Sequence, residues 1–112
     1  MSLQAKLRRL GEILAAAAPS VYHYWRPQMD PPYCVWAEDG EDGSLPADNR
    51  KGEQSVSGYV DYYTRTEFDP VLDQIQDALN SVDGFPFGWQ LSSVDYEDET
   101  NLIHYQWTWS MV

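Results

Sequence analysis

The chain has 112 residues, and 18 acidic against 7 basic side chains give it a formal net charge of −11 at pH 7. Its length suits one domain over 1–112, and its hydrophobic content of 43% excludes general disorder. Seven cations are too few to neutralise a run of phosphates, so the composition disfavours a protein that grips DNA or RNA. Without a run of 18 apolar residues, the sequence predicts no membrane span.

Two segments have the pattern of amphipathic helices. Leucines at positions 3, 7, 10 and 14 recur at helical spacing behind a plausible N-cap, which predicts a helix over Ser2–Ala18. A second helix is predicted after Asp69, a good N-cap, with Pro70 at its first position. Gly84 is expected to end that helix.

Five strands are predicted around these helices, from β-branched and aromatic runs or from strict alternation. They are Val21–Trp25, Tyr33–Ala37, Ser55–Thr66, Trp89–Tyr96 and Leu102–Met111. The order helix, three strands, helix, two strands predicts an α+β fold. Its expected core is an antiparallel sheet of four to five strands with both helices packed on one face.

Between the second and third strands, the acidic segment Glu38–Gln54 lacks periodicity and is predicted to be a long loop. Counting from Asp42 places Glu53 twelfth, as in a calcium-binding loop. Pro46 and Ala47, however, stand where that loop needs a ligand and then a glycine. A solvated acidic loop is therefore favoured, and no metal site is predicted.

The sequence carries no recognisable catalytic or cofactor motif. Cys34 and His104 are of the types that form a nucleophile and its base, but Cys34 lies in an apolar strand without cationic neighbours. His23 and His104 do not have the spacing of zinc ligands. Glycine-rich phosphate loops and nucleophile elbows are also absent from the sequence. We therefore predict a non-enzymatic protein that uses no cofactor.

Two blocks of sequence carry a resemblance to a known group of proteins. Pro32–Trp36 (PYCVW) is followed by the acidic loop and then by Gly58–Pro70 (GYVDYYTRTEFDP). This layout, followed by a helix and a closing hairpin, resembles the small tail-completion proteins of siphophages and prophages, the tail terminator and head–tail joining group. The likeness covers nearly the whole chain in layout. The acidic loop and the Trp107–Trp109 end match no motif of that group.

The resemblance implies a structural protein of a phage virion that forms a ring, typically a hexamer, at the head-proximal end of the tail tube. Its implied partners are further copies of itself, the tail tube protein and the head–tail connector protein. DNA would pass through the ring without specific binding, and no membrane is involved. The implied location is the bacterial cytoplasm during assembly and then the virion tail. No catalytic residues come with the resemblance.

Two sets of residues are candidates for roles in such a ring. The predicted oligomer interface consists of Tyr59, Tyr63, Trp107, Trp109, Arg8 and Arg9, the arginines together with Lys6 pairing with a neighbour's acids. An acidic loop lining the channel would repel passing DNA, and its predicted residues are Glu38, Asp39, Glu41, Asp42 and Asp48. Two alternatives stay open. An alternating aromatic strand also suits a core, and an acidic loop also suits a plain soluble surface.

A function of another class also fits the charge. A dense negative surface is compatible with an acidic DNA mimic that inhibits a nucleic-acid enzyme by copying phosphate spacing. Against it, the acids concentrate in loops rather than along one helix or strand face. The mass in solution distinguishes the two, because a ring protein is expected to associate and a mimic to remain a monomer or dimer.

Overall fold

Two helices and a five-stranded sheet form the fold in the computed structural model, which describes residues 1–26, 28–41, 46–47, 50–51 and 54–112. The helices are α1 (Leu3–Ala17) and α2 (Val71–Asn80). The strands are β1 (Val21–His23), β2 (Tyr33–Glu41), β3 (Pro46–Ala47), β4 (Arg50–Lys51), β5 (Val56–Thr64), β6 (Phe87–Glu97) and β7 (Leu102–Met111).

The strands of the main sheet lie in the order β1-β2-β5-β7-β6, and β3 pairs with β4 separately. The predicted α+β class is confirmed, as is the order of helices and main-sheet strands. One pairing differs from the expected antiparallel sheet, because β1 runs parallel to β2. The segment between His23 and Tyr33 returns the chain to the start of β1, so that Val21 pairs with Cys34.

The helices begin close to where the sequence places them. The Ser2 side chain accepts a hydrogen bond from Ala5 N at 3.1 Å, as the predicted N-cap of α1 requires. Pro70 occupies the cap position of α2, and Asp69 Oδ1 accepts from Val71 N at 2.9 Å. The start of α2 is thus one residue later than predicted. Its end at Asn80 lies four residues before Gly84, which adopts a φ of 90° in the following turn.

The strand bounds differ most around the acidic segment. β1 ends at His23 rather than Trp25, and β2 continues past the predicted end to Glu41. The extension exists because β5 offers a partner along its full length, with Glu41 opposite Val56 and a register shift between Glu38 and Gly40. The composition of this segment predicted a loop because composition carries no information about pairing with β5.

The core lies between the helices and one face of the sheet. Trp36, Val60 and Trp107 stand in register across β2, β5 and β7, and all three are buried. α1 approaches this row closely at Gly11, where a Cβ atom would lie 2.8 Å from the Trp36 ring. α2 covers the other end, because Trp107 Nε1 donates to Gln76 Oε1 at 3.1 Å. The opposite face of the sheet is therefore left without a helix in the described part of the chain.

Candidate assembly surfaces

The two tryptophans predicted at the interface lie in the core, with 1% of Trp107 and 2% of Trp109 exposed. Trp109 Nε1 donates to the Tyr59 carbonyl at 3.2 Å, and the Trp109 ring stacks on Phe87. Both indoles lie on the helix-covered face of β7, which is the core alternative stated above. A second copy that contacts the chain in this conformation therefore cannot reach the two indole rings.

The predicted interface tyrosines, Tyr59 and Tyr63, lie on the opposite, helix-free face of β5 and are half-buried. The Tyr63 ring stacks between those of Tyr33, at 4.8 Å, and His104, at 4.3 Å. Burial, together with the nearby charge of Asp61, raises the pKa of Tyr63 to about 12, so its hydroxyl stays protonated at neutral pH.

A polar network orders the middle of the same helix-free face. The buried Asp61 carboxylate accepts from His104 Nε2 and from Gln106 Nε2, each at 2.9 Å to Oδ1. At its edge, the buried Tyr33 hydroxyl has no hydrogen-bond partner among the described residues, and Arg26 lies 5.2 Å from the Tyr33 ring centre. Hydrogen bonds and ring stacking within the chain therefore hold the side chains of this face in place, although no described helix packs on them.

The predicted basic cluster of α1 is divided. Arg9 pairs with Asp83, and Lys6 Nζ donates to the Val112 carbonyl at 2.7 Å, so both bind α1 to the second half of the chain. Arg8 is exposed and has no ion pair within the residues that the structure describes. Of the three cations, Arg8 is thus the one for which the described residues supply no partner.

Three of the five predicted channel residues lie in strand β2 rather than in a loop, because β2 continues to Glu41. Asp39 Oδ1 accepts from Ser57 Oγ at 3.2 Å, and Glu41 Oε1 accepts from Gln54 Nε2 at 2.8 Å. Glu38 is the third of them. The remaining two, Asp42 and Asp48, fall outside the described residues.

Glu38 belongs to an aromatic cluster at the β1 edge of the sheet. Its carboxylate accepts from His23 Nε2 at 2.7 Å and from the Tyr24 hydroxyl at 3.0 Å. Burial opposes its ionisation, but these bonds and one from its own backbone N–H outweigh that effect and lower the pKa of Glu38. The His23 ring is fixed in turn, since it stacks on Trp36 at 4.0 Å.

An exposed apolar surface on the β6–β7 hairpin was not predicted from the sequence. Leu91, Val94 and Tyr96 are 45%, 52% and 58% exposed, although they share the helix-covered face of the sheet. The hairpin continues beyond α2, whose last residue, Asn80, accepts from Trp89 Nε1 at 2.9 Å. The strand has a register shift between Leu91 and Ser93. Strict alternation from Leu91 would have placed Val94 and Tyr96 on the opposite face, so the sequence alone does not show that the three residues share one face.

Catalytic or metal chemistry finds no support in the described part of the chain. Cys34 and His104 lie on opposite faces of the sheet, and burial raises the pKa of the Cys34 thiol to about 12. Within the described residues, no group of three or more His, Cys, Asp or Glu side chains is placed to hold a metal ion. Neither described helix is long and apolar enough to cross a bilayer.

Comparison with known proteins gives a match at the level of the fold. No family model and no curated protein sequence matches the chain. Among solved structures, it is similar to a chain of the "Virion of native gene transfer agent (GTA) particle", with a TM-score of 0.57 and 13% sequence identity. The match covers 98% of this chain and 92% of that one. At this identity, the likeness establishes a shared fold alone.

Proposed function

We propose that the chain is a non-enzymatic structural protein of a phage-like particle, a tail terminator or tail-completion protein. Copies of it form a ring, a hexamer, at the head-proximal end of the tail tube and join the tube to the head connector. The observation that carries the proposal is the fold shared with a chain of a gene transfer agent virion over nearly the full length of both chains. The layout of the sequence supports the same assignment independently.

The sheet supplies a feature that a ring requires. A ring closes only through a head-to-tail contact between two different surfaces of one subunit. Strands β1 and β6 form the two edges of the main sheet, so the molecule presents two dissimilar sides. Both sides carry exposed aromatic or aliphatic side chains, since Tyr24 and Trp25 follow β1, and Leu91 and Val94 belong to β6.

Deleting the gene in a strain that produces the particle tests this function. We expect filled heads and tails that do not join, and supplying the wild-type chain should restore intact particles, as seen by electron microscopy. Quantitative mass spectrometry of purified particles should count copies in a multiple of the ring size. Intact particles of normal tail length assembled without this chain would contradict the proposal.

We further propose that the acidic residues at and after the end of β2 face the channel of the ring, where they repel DNA and keep it from binding the wall. Changing Asp39, Glu41, Asp42 and Asp48 to their amides should leave assembly intact and lower DNA delivery per particle. Glu38 is left unchanged because its side chain, unlike those of the exposed Asp39 and Glu41, is mostly buried and binds His23 and Tyr24. The matched control changes four exposed acids outside both β2 and the β6–β7 turn to their amides, namely Glu12, Glu67, Asp73 and Asp77. Equal delivery by the wild type and the four-amide variant would exclude this role.

A further inference from the structure

The outer end of the β6–β7 hairpin combines an apolar face with an acidic tip. The apolar face consists of Leu91, Val94 and Tyr96, all on one side of the sheet beyond the helices. The tip carries Asp95, Glu97, Asp98 and Glu99. Arg65 contacts this turn through a hydrogen bond from Nε to the Thr100 carbonyl at 3.0 Å. We call this surface the hairpin patch. Contact of these apolar side chains with water is unfavourable, so burying them against a partner would be favourable.

A groove on the opposite edge of the sheet has complementary features. It lies between α1 and β1, has a volume of about 490 Å³ and includes Leu3, Leu7 and Arg8 in its lining. Tyr24, which is 52% exposed, also lines the groove. The next residue, Trp25, is 70% exposed, and its ring centre lies 6.3 Å from that of Tyr24. We call this surface the α1–β1 groove.

Charge distinguishes this groove from a second one between the two helices. That groove, about 470 Å³, is lined by Ala16, Ala17 and other α1 and α2 residues, but its charged member is Asp77, which would repel an acidic tip. In the α1–β1 groove, Arg8 has no ion pair among the described residues. Glu38 also lines this groove and is negatively charged, but its side chain is only 19% exposed and its carboxylate is bound by His23 and Tyr24, whereas Asp77 is exposed.

We propose that the hairpin patch of one copy of this chain docks in the α1–β1 groove of a second copy. Leu91, Val94 and Tyr96 pack against Tyr24 and Trp25, and the acidic tip lies against Arg8. The two surfaces lie at opposite edges of the sheet. Each copy therefore binds one neighbour through its hairpin patch and the other neighbour through its α1–β1 groove, which makes the contact head-to-tail. This inference rests on the ring-forming function proposed above and names the surfaces that join the copies.

The test measures association of the full-length chain by sedimentation velocity and light scattering up to about 1 mM, a range that reveals even weak contacts. Glu97→Arg and Arg8→Glu should each weaken association by at least about tenfold in Kd, since each replaces an attraction by a repulsion. Their equimolar mixture should associate again, because the reversed hairpin then meets the reversed groove. Val94→Asp should weaken association at least as much, and circular dichroism checks that every variant is folded.

Asp77→Arg is the matched control, an equal charge reversal in the groove between the helices, and it should leave the Kd of wild-type association unchanged. A wild-type chain that stays monomeric at about 1 mM overturns the proposed contact. Association that resists Glu97→Arg and Arg8→Glu, or a mixture that fails to recover, also overturns it. These outcomes leave the virion function to the gene-deletion experiment, which does not depend on which surfaces meet.

Discussion

At the scale of single residues, Asp69 joins strand β5 to helix α2. Its Oδ2 atom accepts from the Tyr62 hydroxyl and from Thr64 Oγ1, each at 2.8 Å, and its Oδ1 accepts from Val71 N. Removing the carboxylate leaves buried donors unpaired and α2 uncapped. We therefore expect Asp69→Ala to lower the free energy of unfolding by about 2–4 kcal/mol in urea denaturation. The exposed Asp73→Ala in the first turn of the same helix is the control, with a loss below about 1 kcal/mol.

The same carboxylate predicts a pH dependence of stability. Burial opposes its ionisation, but the hydrogen bonds from Val71 N, Thr64 and Tyr62 outweigh that effect and lower the pKa of Asp69 in the folded state. Its stabilisation is therefore complete above the unfolded-state pKa, near 3.9, and is lost as the pH falls through the lower folded value. We expect the stability gap between wild type and Asp69→Asn to be constant from pH 7 to about 5 and to narrow in more acidic solution. A gap independent of pH would refute this.

Gly58 gives a prediction that depends on space rather than charge. A Cβ atom there would lie 2.2 Å from the Ala37 carbonyl oxygen and 2.3 Å from the Trp109 ring, both in the packed sheet. We expect Gly58→Ala to lower the free energy of unfolding by about 2–3 kcal/mol, because a backbone atom and a buried indole would have to move. Gly88→Ala on β6 is the control, since its nearest atom is Ser110 Oγ at 4.0 Å, and its effect should stay within about 0.5 kcal/mol.

At the scale of elements, leucine side chains serve two different purposes. Leu10 on the sheet-facing side of α1 is completely buried, whereas Leu91 on β6 is 45% exposed. We expect Leu10→Ala to lower the free energy of unfolding by about 3 kcal/mol and Leu91→Ala by less than about 1 kcal/mol. Leu91→Ala should act on association between copies instead. Similar losses of stability from the two substitutions would contradict the view that the hairpin patch is free in the isolated chain.

The elements also show how far the sequence alone leads. Both helices follow from local signals, the leucine spacing in α1 and Asp69 with Pro70 before α2. The far end of β2 does not, because Gly40 and its acidic neighbours resemble a loop until β5 pairs with them. The hairpin patch was missed for a similar reason, since the register shift after Leu91 changes which face the next residues occupy. Long-range pairing, which local composition does not encode, decides both.

The residues predicted at the interface show the same limit of local sequence information. For Trp107 and Trp109 the sequence left both a core and an interface open, with an alternating aromatic strand more often belonging to a core, because alternation along β7 gives a face but does not say what covers it. The helices cover it, and both indoles are buried. Arg8 and Arg9 were alike in sequence, yet Arg9 pairs with Asp83, which lies 74 residues away along the chain. The interface roles of all six residues stay predictions, although the burial of the two indoles within the single chain favours the core alternative for Trp107 and Trp109.

At the scale of the whole molecule, the net charge of −11 governs the encounter with DNA. Of the seven cations, Lys6, Arg9 and Arg65 already bind groups within the chain, which leaves four others against 18 acidic side chains. We expect no binding of a short DNA duplex at about 0.15 M salt, with a Kd weaker than about 1 mM by fluorescence anisotropy. The control changes the four acids of the hairpin tip to lysine, which should create weak binding that disappears as salt is added. Salt-sensitive binding by the wild-type chain would contradict a ring wall that lets DNA pass, because each bound phosphate would slow its passage.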